Sequence, residues 1–451
     1  MTKFAAIILA AGKGTRMKSD LHKVLHPIGG KPMLFHLLDS FDALEPAHMV
    51  VVAGDRHEQL RDAVADRNVT VAMQEPQHGT AHAALMAKDA LAGFDGLVMV
   101  AFGDCPMVKS ATVQKLCDAL DDTAKVAVLG FRPDNTLAYG RVIADADGTV
   151  SKMVEHKDAS QEERACTLCN SGVLIAHSRD IWRLLENVGN DNAQGEYYLP
   201  DVATNAIAEG SRVVAVETAP DEVAGINSRA ELAAAEAGWQ QFKREEAMAA
   251  GVSLKAPETV FFSWDTKLGR DVVVEPNVVF GPGVTVADHA TIRAFSHLEG
   301  ATVGEHCSVG PYARLRPGAV LEEGAFIGNF VEMKKATLGK GAKASHLTYL
   351  GDTTVGAHAN IGAGTITCNY DGYFKHQTTI GERAFIGSNS ALVAPVTIGA
   401  DAIVAAGSTV SRDVAAGELR MVRAEQLVKP GWADRFHDTM KKKKAAATDK
   451  A

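Results

Sequence analysis

"LGRDVVVEPNVVFGPGVTVADHATIRAFSHL", Leu268–Leu298, places an apolar residue at every sixth position: Leu268, Val274, Phe280, Val286, Ile292 and Leu298. Neither a helix of period 3.6 nor a half-buried strand of period two asks for that spacing. A six-residue repeat does. Each unit forms one short face of a coil and turns one apolar residue inward, so that stacked coils share a continuous apolar column. Three faces make a coil of about 18 residues, with Gly, Pro and small residues expected at the corners. After a five-residue step, Val303, Val309, Leu315, Leu321, Ile327 and Met333 resume the period. Ile380, Ile386, Leu392, Ile398, Val404 and Val410 repeat it. Between Ile366 and Ile380, "TCNYDGYFKHQTT" leaves the frame and carries polar and aromatic groups. An excursion from a rigid coil is where binding groups tend to be placed.

The first half has a different pattern. "FAAIIL", "HMVVVAG", "NVTVAM", "GLVMVAF" and "KVAVLGF" are short apolar runs that read as buried strands, and segments such as "TAHAALMAKDAL" between them carry apolar residues at helical spacing. Strands alternating with helices predict an α/β domain with a parallel sheet covered on both faces and ligands at the carboxyl ends of its strands. Ser228 and Glu231 form a capping box that opens one long helix, and Gly251 suits its end. The expected organisation is therefore residues 1–227, a linker helix over 228–250, and a repeat domain over 251–451. The Lys-rich end from about residue 440 reads as a flexible solvated tail.

The chain has 451 residues, 46% hydrophobic and 22% charged, with a net charge of −9. That balance gives no general attraction to nucleic acid or anionic membrane, so any phosphate binding must be local. No apolar run approaches the roughly 18 residues of a membrane span. The opening run Phe4–Ala11 leads straight into a glycine loop, which fits a first strand better than a secretion signal. Six cysteines in such a length make no disulfide framework, and Cys166 and Cys169 lack the second pair of a zinc site. Reduced thiols in a cytoplasmic setting are expected.

The loop after the first strand, "LAAGKGTRMKSDLHKVL" (Leu9–Leu25), is neither a Walker A loop nor GxGxxG. It joins a strand to a helical segment, where backbone N–H groups can meet phosphate oxygens. Gly12 and Gly14 would let the backbone approach a nucleotide, and Arg16 and Lys23 would supply charge. A tight turn with solvated lysines is the plainer alternative. His22 and His26 are read as structural. Asp104, ending the strand "GLVMVAFGD", places a carboxylate at the rim where Mg²⁺ can bridge phosphates; a turn or helix-capping aspartate is its plainer reading.

The motifs "LAAGKGTRM", "QEPQHGTAHA", "FGD", "YGR", "VEHKDA" and "NSGV" resemble the sugar-nucleotide pyrophosphorylases. "GNFVEMKKATLGKGAKASHLTYLGD", "NIGAGTITCNYDG" and "GSNSALVAPVTIG" follow in the second half. Together, over nearly the whole chain, they resemble the bacterial bifunctional family of N-acetylglucosamine-1-phosphate uridylyltransferase/glucosamine-1-phosphate N-acetyltransferases. The resemblance implies a Rossmann-like nucleotidyltransferase domain followed by a left-handed parallel β-helix, assembled as a homotrimer. It implies that Leu9, Ala10, Ala11 and Gly12 cradle UTP, that Arg16 and Lys23 contact its phosphates, and that Gln74, Gly79 and Thr80 hold uracil. Gly140, Glu155, Asn170 and Asn227 would hold the sugar, with Asp104 and Asn227 on Mg²⁺. "FGD" stands where the family often has "YGD", a change expected to be tolerated.

For the second activity, a histidine near its ordinary pKa suits proton removal from an amine attacking a thioester, and His346 is the candidate. The resemblance assigns Arg316, Lys334, Tyr349 and Asn360 to glucosamine 1-phosphate. Ala363, Asn369, Tyr370, Ser388, Ala406 and Arg423 would line the acetyl-CoA site. A competing reading makes the repeats a trimerisation scaffold on a single-activity pyrophosphorylase; His346, the Asn369–Tyr370 loop and Arg423 argue against it, since a scaffold has no need of them.

Overall fold

The computed structural model describes residues 3–136, 139–192 and 194–448. Two compact units emerge, the first comprising Met1–Glu246 with Phe262–Asp265 and the second Ala247–Phe261 with Thr266–Ala451.

The five apolar runs of the first half are all strands: β1 (Phe4–Ala10), β2 (His48–Ala53), β3 (Thr70–Met73), β4 (Leu97–Phe102) and β5 (Ala124–Phe131). Four more follow as β6 (Arg141–Ala144), β7 (Val150–Val154), β8 (Cys169–His177) and β9 (Arg212–Thr218). The sheet runs β9-β5-β8-β4-β1-β2-β3, with β6 joining β8 to β7. It is mixed rather than wholly parallel, because β8 runs antiparallel to both β4 and β5. One apolar cluster on each face explains why the strands read as continuous hydrophobic runs. From β1 the chain builds outward through β2 and β3, then returns to β4 on the other side, so the order reverses between β1 and β4. That crevice is where this architecture binds ligands.

The helix expected over 228–250 spans Arg229–Ala249. The capping box is present: Ser228 N–H donates to Glu231 Oε2 at 3.1 Å and Glu231 N–H to Ser228 Oγ at 3.3 Å. The helix packs into the first unit. Trp239 lies against Gly29, where a Cβ would come within 2.5 Å of the indole. Gln240 holds the Phe262 main chain from both sides, its Nε2 donating to the carbonyl and its Oε1 accepting from the N–H, each at 2.8 Å.

In the second unit the six-residue columns are buried at every expected position but the first, Leu268, which is half-buried at the open end. Successive coils pair in parallel at offsets of 18 residues, as Val274 with Ile292, or of 17, as Leu298 with Leu315. Between Met333 and Ile380 the column continues through Leu338, Ala344, Leu350, Val355, Ile361 and Thr367. Five-residue steps recur there, which hides the period. Thr367 fits the column because its hydroxyl is satisfied, accepting from Gly351 N–H at 2.8 Å. The out-of-frame segment makes one coil of 25 residues, pairing Val355 with Ile380.

Two further expectations need correction. The corners are not reserved for small residues: Phe295, Tyr312, Phe330 and Leu347 adopt the left-handed conformation, at φ of 60°, 55°, 57° and 47°. Stacking stabilises the three aromatic corners, with Phe295 and Tyr312 rings 4.8 Å apart and Tyr312 and Phe330 rings 5.2 Å apart. The Lys-rich stretch 441–444, expected in a flexible solvated tail, is exposed but helical, in the last part of Trp432–Thr448; 449–451 lie outside the described residues. Lys and Ala favour helix, and no Gly or Pro interrupts the chain after Gly431.

Candidate functional site

A cavity of about 1430 Å³ in the first unit opens at the carboxyl ends of β1 to β4. Of the residues that the resemblance assigns to the nucleotide and its metal, Leu9, Ala10, Ala11, Gly12, Lys23, Gln74, Gly79, Thr80 and Asp104 line it. Gly12 has nothing within 4 Å of a Cβ built on it, so its bare backbone faces open space. Gly14 does something different. It sits at φ +60°, and a Cβ there would come within 2.9 Å of Lys23 Cβ, so it is required by the turn and by the lysine packed on it. Arg16 is exposed on the turn Thr15–Met17 and lies outside that lining.

The Lys23 ammonium ion-pairs with Asp104 and donates to Asn227 Oδ1 at 3.1 Å. Side chains 81 and 204 residues from Lys23 therefore meet at one cation. Main chain fixes them: Gly103 N–H donates to Leu9 O at 2.9 Å, and Ile226 N–H to Asp104 O at 3.0 Å. Gln74 is buried, its Nε2 donating to Gly79 O at 2.9 Å, and the Thr80 hydroxyl accepts from Leu199 N–H at 2.9 Å. Gly140, Glu155 and Asn170 form a group of their own. Asn170 N–H donates to Gly140 O at 2.9 Å, and a Cβ on Gly140 would lie 3.2 Å from the Glu155 carboxylate. Burial raises the Glu155 carboxyl above the usual range, and the Asp201 and Asp158 carboxylates add to it. Phe102 of "FGD" packs on Gly172, where any Cβ would strike its ring.

Residues not singled out from the sequence also line the cavity, among them Lys13, Arg56, Gln77 and Glu196. Gln77 Nε2 donates to Ala11 O at 2.6 Å and so holds the glycine loop. Arg56 stands just past β2, and the rule that ligands sit beyond strand ends was the signal that could have found it.

In the second unit, His346 lies beside Asn329 in register, with Nδ1 2.6 Å from Asn329 Oδ1. An accepting Oδ1 keeps the ring hydrogen on Nδ1 and leaves Nε2 as the basic nitrogen. Asn329 was not anticipated. Its offset of 17 from His346 continues onward, because Ala363, Ser388, Ala406 and Arg423 follow at 17, 25, 18 and 17. One corner of successive coils thus carries the histidine and four of the expected coenzyme residues. Asn389 N–H donates to Ala363 O at 2.7 Å, Gly407 N–H to Ser388 O at 2.8 Å, and Arg423 Nη1 to Ala406 O at 3.0 Å.

Arg316 and Lys334 each follow a residue of the Leu315–Met333 pair and therefore hold the same position on adjacent coils. Gly351 is next in that row. A Cβ there would meet the Tyr349 hydroxyl at 2.4 Å and Asn369 Nδ2 at 2.7 Å. Two cations and a phenol therefore share a patch, although Arg316 also pairs with Glu332 at 2.8 Å. Asn360 lies beside Lys343 on the adjoining strand. Asn369 is buried and donates to Asp352, so its amide supports the loop, whereas Tyr370 is exposed with Lys375 3.9 Å over its ring.

All six cysteines are free thiols, and among the described residues no helix is long and apolar enough to cross a membrane. Residues 6–190 match the MobA-like NTP transferase domain, and 265–300 and 377–412 match the bacterial transferase hexapeptide repeats. The chain is 68% identical over 448 residues to the bifunctional protein GlmU of Sphingopyxis alaskensis, covering 99% of each. It is 67% identical to that of Novosphingobium aromaticivorans, covering 98% of each, and 54% identical to that of Zymomonas mobilis, covering 98% of this chain and 99% of the relative. With a nucleotidyltransferase unit and a hexapeptide unit in the same order over the same length, the chain belongs to the family of bifunctional GlmU proteins.

Proposed function

We propose that the protein carries out two successive transfers in UDP-N-acetylglucosamine synthesis. The second unit moves the acetyl group of acetyl-CoA to the amine of glucosamine 1-phosphate. The first joins the product to UMP from UTP and releases pyrophosphate. The carrying observation is that the residues implied for the two reactions fall on different units, those for uridylyl transfer on the first and those for acetyl transfer on the second.

For acetyl transfer, His346 Nε2 accepts the proton that the amine must lose on attacking the thioester, and Asn329 keeps that nitrogen basic. Arg316 and Lys334 suit the sugar phosphate. Ala363, Ser388, Ala406 and Arg423 receive the coenzyme along the same corner as the base, with Tyr370 on the out-of-frame loop and Asn360 toward the sugar.

For uridylyl transfer, a phosphate oxygen of the sugar attacks the α-phosphorus and the bond to the β-phosphate breaks, with the electron pair leaving on pyrophosphate. Gln74, Gly79 and Thr80 hold the base, and the 9–12 backbone lies under the nucleotide. Lys23 faces the phosphates and Arg16 adds charge from the solvent side. Gly140, Glu155, Asn170 and Asn227 hold the sugar hydroxyls and amide. Asp104 and Asn227 already direct two oxygens at one cation, the Lys23 ammonium, and this hard donor set fits Mg²⁺, which takes few protein ligands and completes its shell with water and phosphate. Bound there, the ion would offset phosphate charge.

A homotrimer in the cytoplasm is the setting proposed. The rings of Phe295, Tyr312 and Phe330 form an exposed stacked ladder along one corner of the coil, a surface suited to association with other copies. The test is one purified protein in two assays. Thiol release from acetyl-CoA should require glucosamine 1-phosphate, and pyrophosphate release should be greatest with UTP and N-acetylglucosamine 1-phosphate across a panel of nucleotides and sugar phosphates. Trimeric protein that releases pyrophosphate but no thiol would overturn the two-activity reading.

A further inference from the structure

Arg56 is an arginine in a place that suits glycine. Its backbone is left-handed, at φ 56° and ψ 32°, in the turn between β2 and the helix His57–Ala63. Side-chain bonds hold it there. Nη1 donates to Ser19 O at 2.5 Å and reaches Leu21 O at 3.4 Å, while Nε stands 3.9 Å from the Asp55 carboxylate. The guanidinium thus grips the far end of the loop that begins at Gly12. Nη2 has no partner among the described residues.

Arg56 also lines two cavities at once, the nucleotide cavity and a neighbouring one of about 620 Å³. Lys13 is the other cation common to both, and Lys18 adds a third on the second cavity, against the carboxylates of Asp20 and Asp55. β1 lies between β2 and β4 in the sheet, so Arg56 and Asp104 flank the glycine loop from opposite sides. A polyphosphate laid across that loop, with its reacting phosphate at Lys23 and Asp104, would carry its remaining phosphates toward Lys13 and Arg56.

We propose that Arg56 binds the pyrophosphate end of the nucleotide and holds it as it leaves. A planar guanidinium with an unused N–H pair is suited to a phosphate oxygen. The inference rests on the uridylyltransferase reading. It is tested in the reverse direction, where UDP-N-acetylglucosamine and pyrophosphate are separate substrates with separate KM values.

Arg56→Gly removes the guanidinium and its bonds to the 12–21 loop but relieves the left-handed backbone, two opposing effects, so its Tm should stay close to that of the unaltered protein. Its KM for pyrophosphate should rise at least tenfold, on the order expected for a lost charge-assisted hydrogen bond. Its KM for UDP-N-acetylglucosamine should stay within about twofold, and Arg56→Lys should recover part of the loss. A merely structural grip on the 12–21 loop would raise both KM values together, because both substrates lie on that loop; that result, or no change in either, overturns the proposal. Calorimetric titration of pyrophosphate into the full chain gives a second measure, and equal affinity in Arg56→Gly and the unaltered protein likewise overturns it. Absence of any pyrophosphate-dependent reaction in the unaltered protein would instead count against the uridylyltransferase reading.

Discussion

The two units assemble their candidate sites by opposite means. In the first, Lys23, Asp104 and Asn227 come from three distant segments: the loops after the neighbouring strands β1 and β4 carry the first two, and the Ile226–Asp104 main-chain bond brings the third to them. In the second, Asn329, His346, Ala363, Ser388, Ala406 and Arg423 are brought into one row by coil repetition, at a spacing readable along the chain. A site made by topology depends on the fold of a whole sheet. A site made by repetition depends on pitch.

The sharpest way to break this comparison is to disable each site alone. His346→Ala should lower acetyl transfer by about 10²–10⁴, the usual span for a general base, and leave uridylyl transfer unchanged. Asp104→Ala should do the converse, lowering uridylyl transfer by about 10²–10³, in the range for removing a charge-stabilising group. Loss of both activities in either folded variant would mean that the units are not independent. Ile327→Ala, in the buried column, should cost about 2–5 kcal/mol in denaturant unfolding of the second unit. A cost well below that would show that the column relaxes around the gap. The smallest expected effect is at Ser228, where replacing the capping hydroxyl by Ala should cost about 1 kcal/mol in thermal or denaturant unfolding of the first unit.

The contrast also governs what could be read in advance. Repetition is written into the sequence, so the columns from Val274 to Met333 and from Ile380 to Val410 were visible as periodicity. They were lost at Leu338 and Val355, where five-residue steps shift the frame, and at Thr367, whose hydroxyl disguises a core position. In the first half the buried strands were evident from their apolar runs, but the direction of β8 was not, because an antiparallel strand buried on both faces has the same composition as a parallel one. Lys23 and Asp104 were legible as a phosphate loop and a rim carboxylate. Asn227 was implied only by resemblance, since nothing in its neighbourhood marks an asparagine whose partners lie far away in sequence. The same holds for Arg56 and Asn329, whose partners Ser19 and His346 lie 37 and 17 residues away.

The row of main-chain bonds that joins Ala363, Ser388 and Ala406 to the coils beside them has a consequence for how such a protein can change over time. Each member is anchored by its backbone, so a side chain in the row can be exchanged without re-registering the others. That corner can then change its chemistry one residue at a time. The first unit has no such freedom: replacing any one of Lys23, Asp104 and Asn227 leaves the other two facing a changed partner.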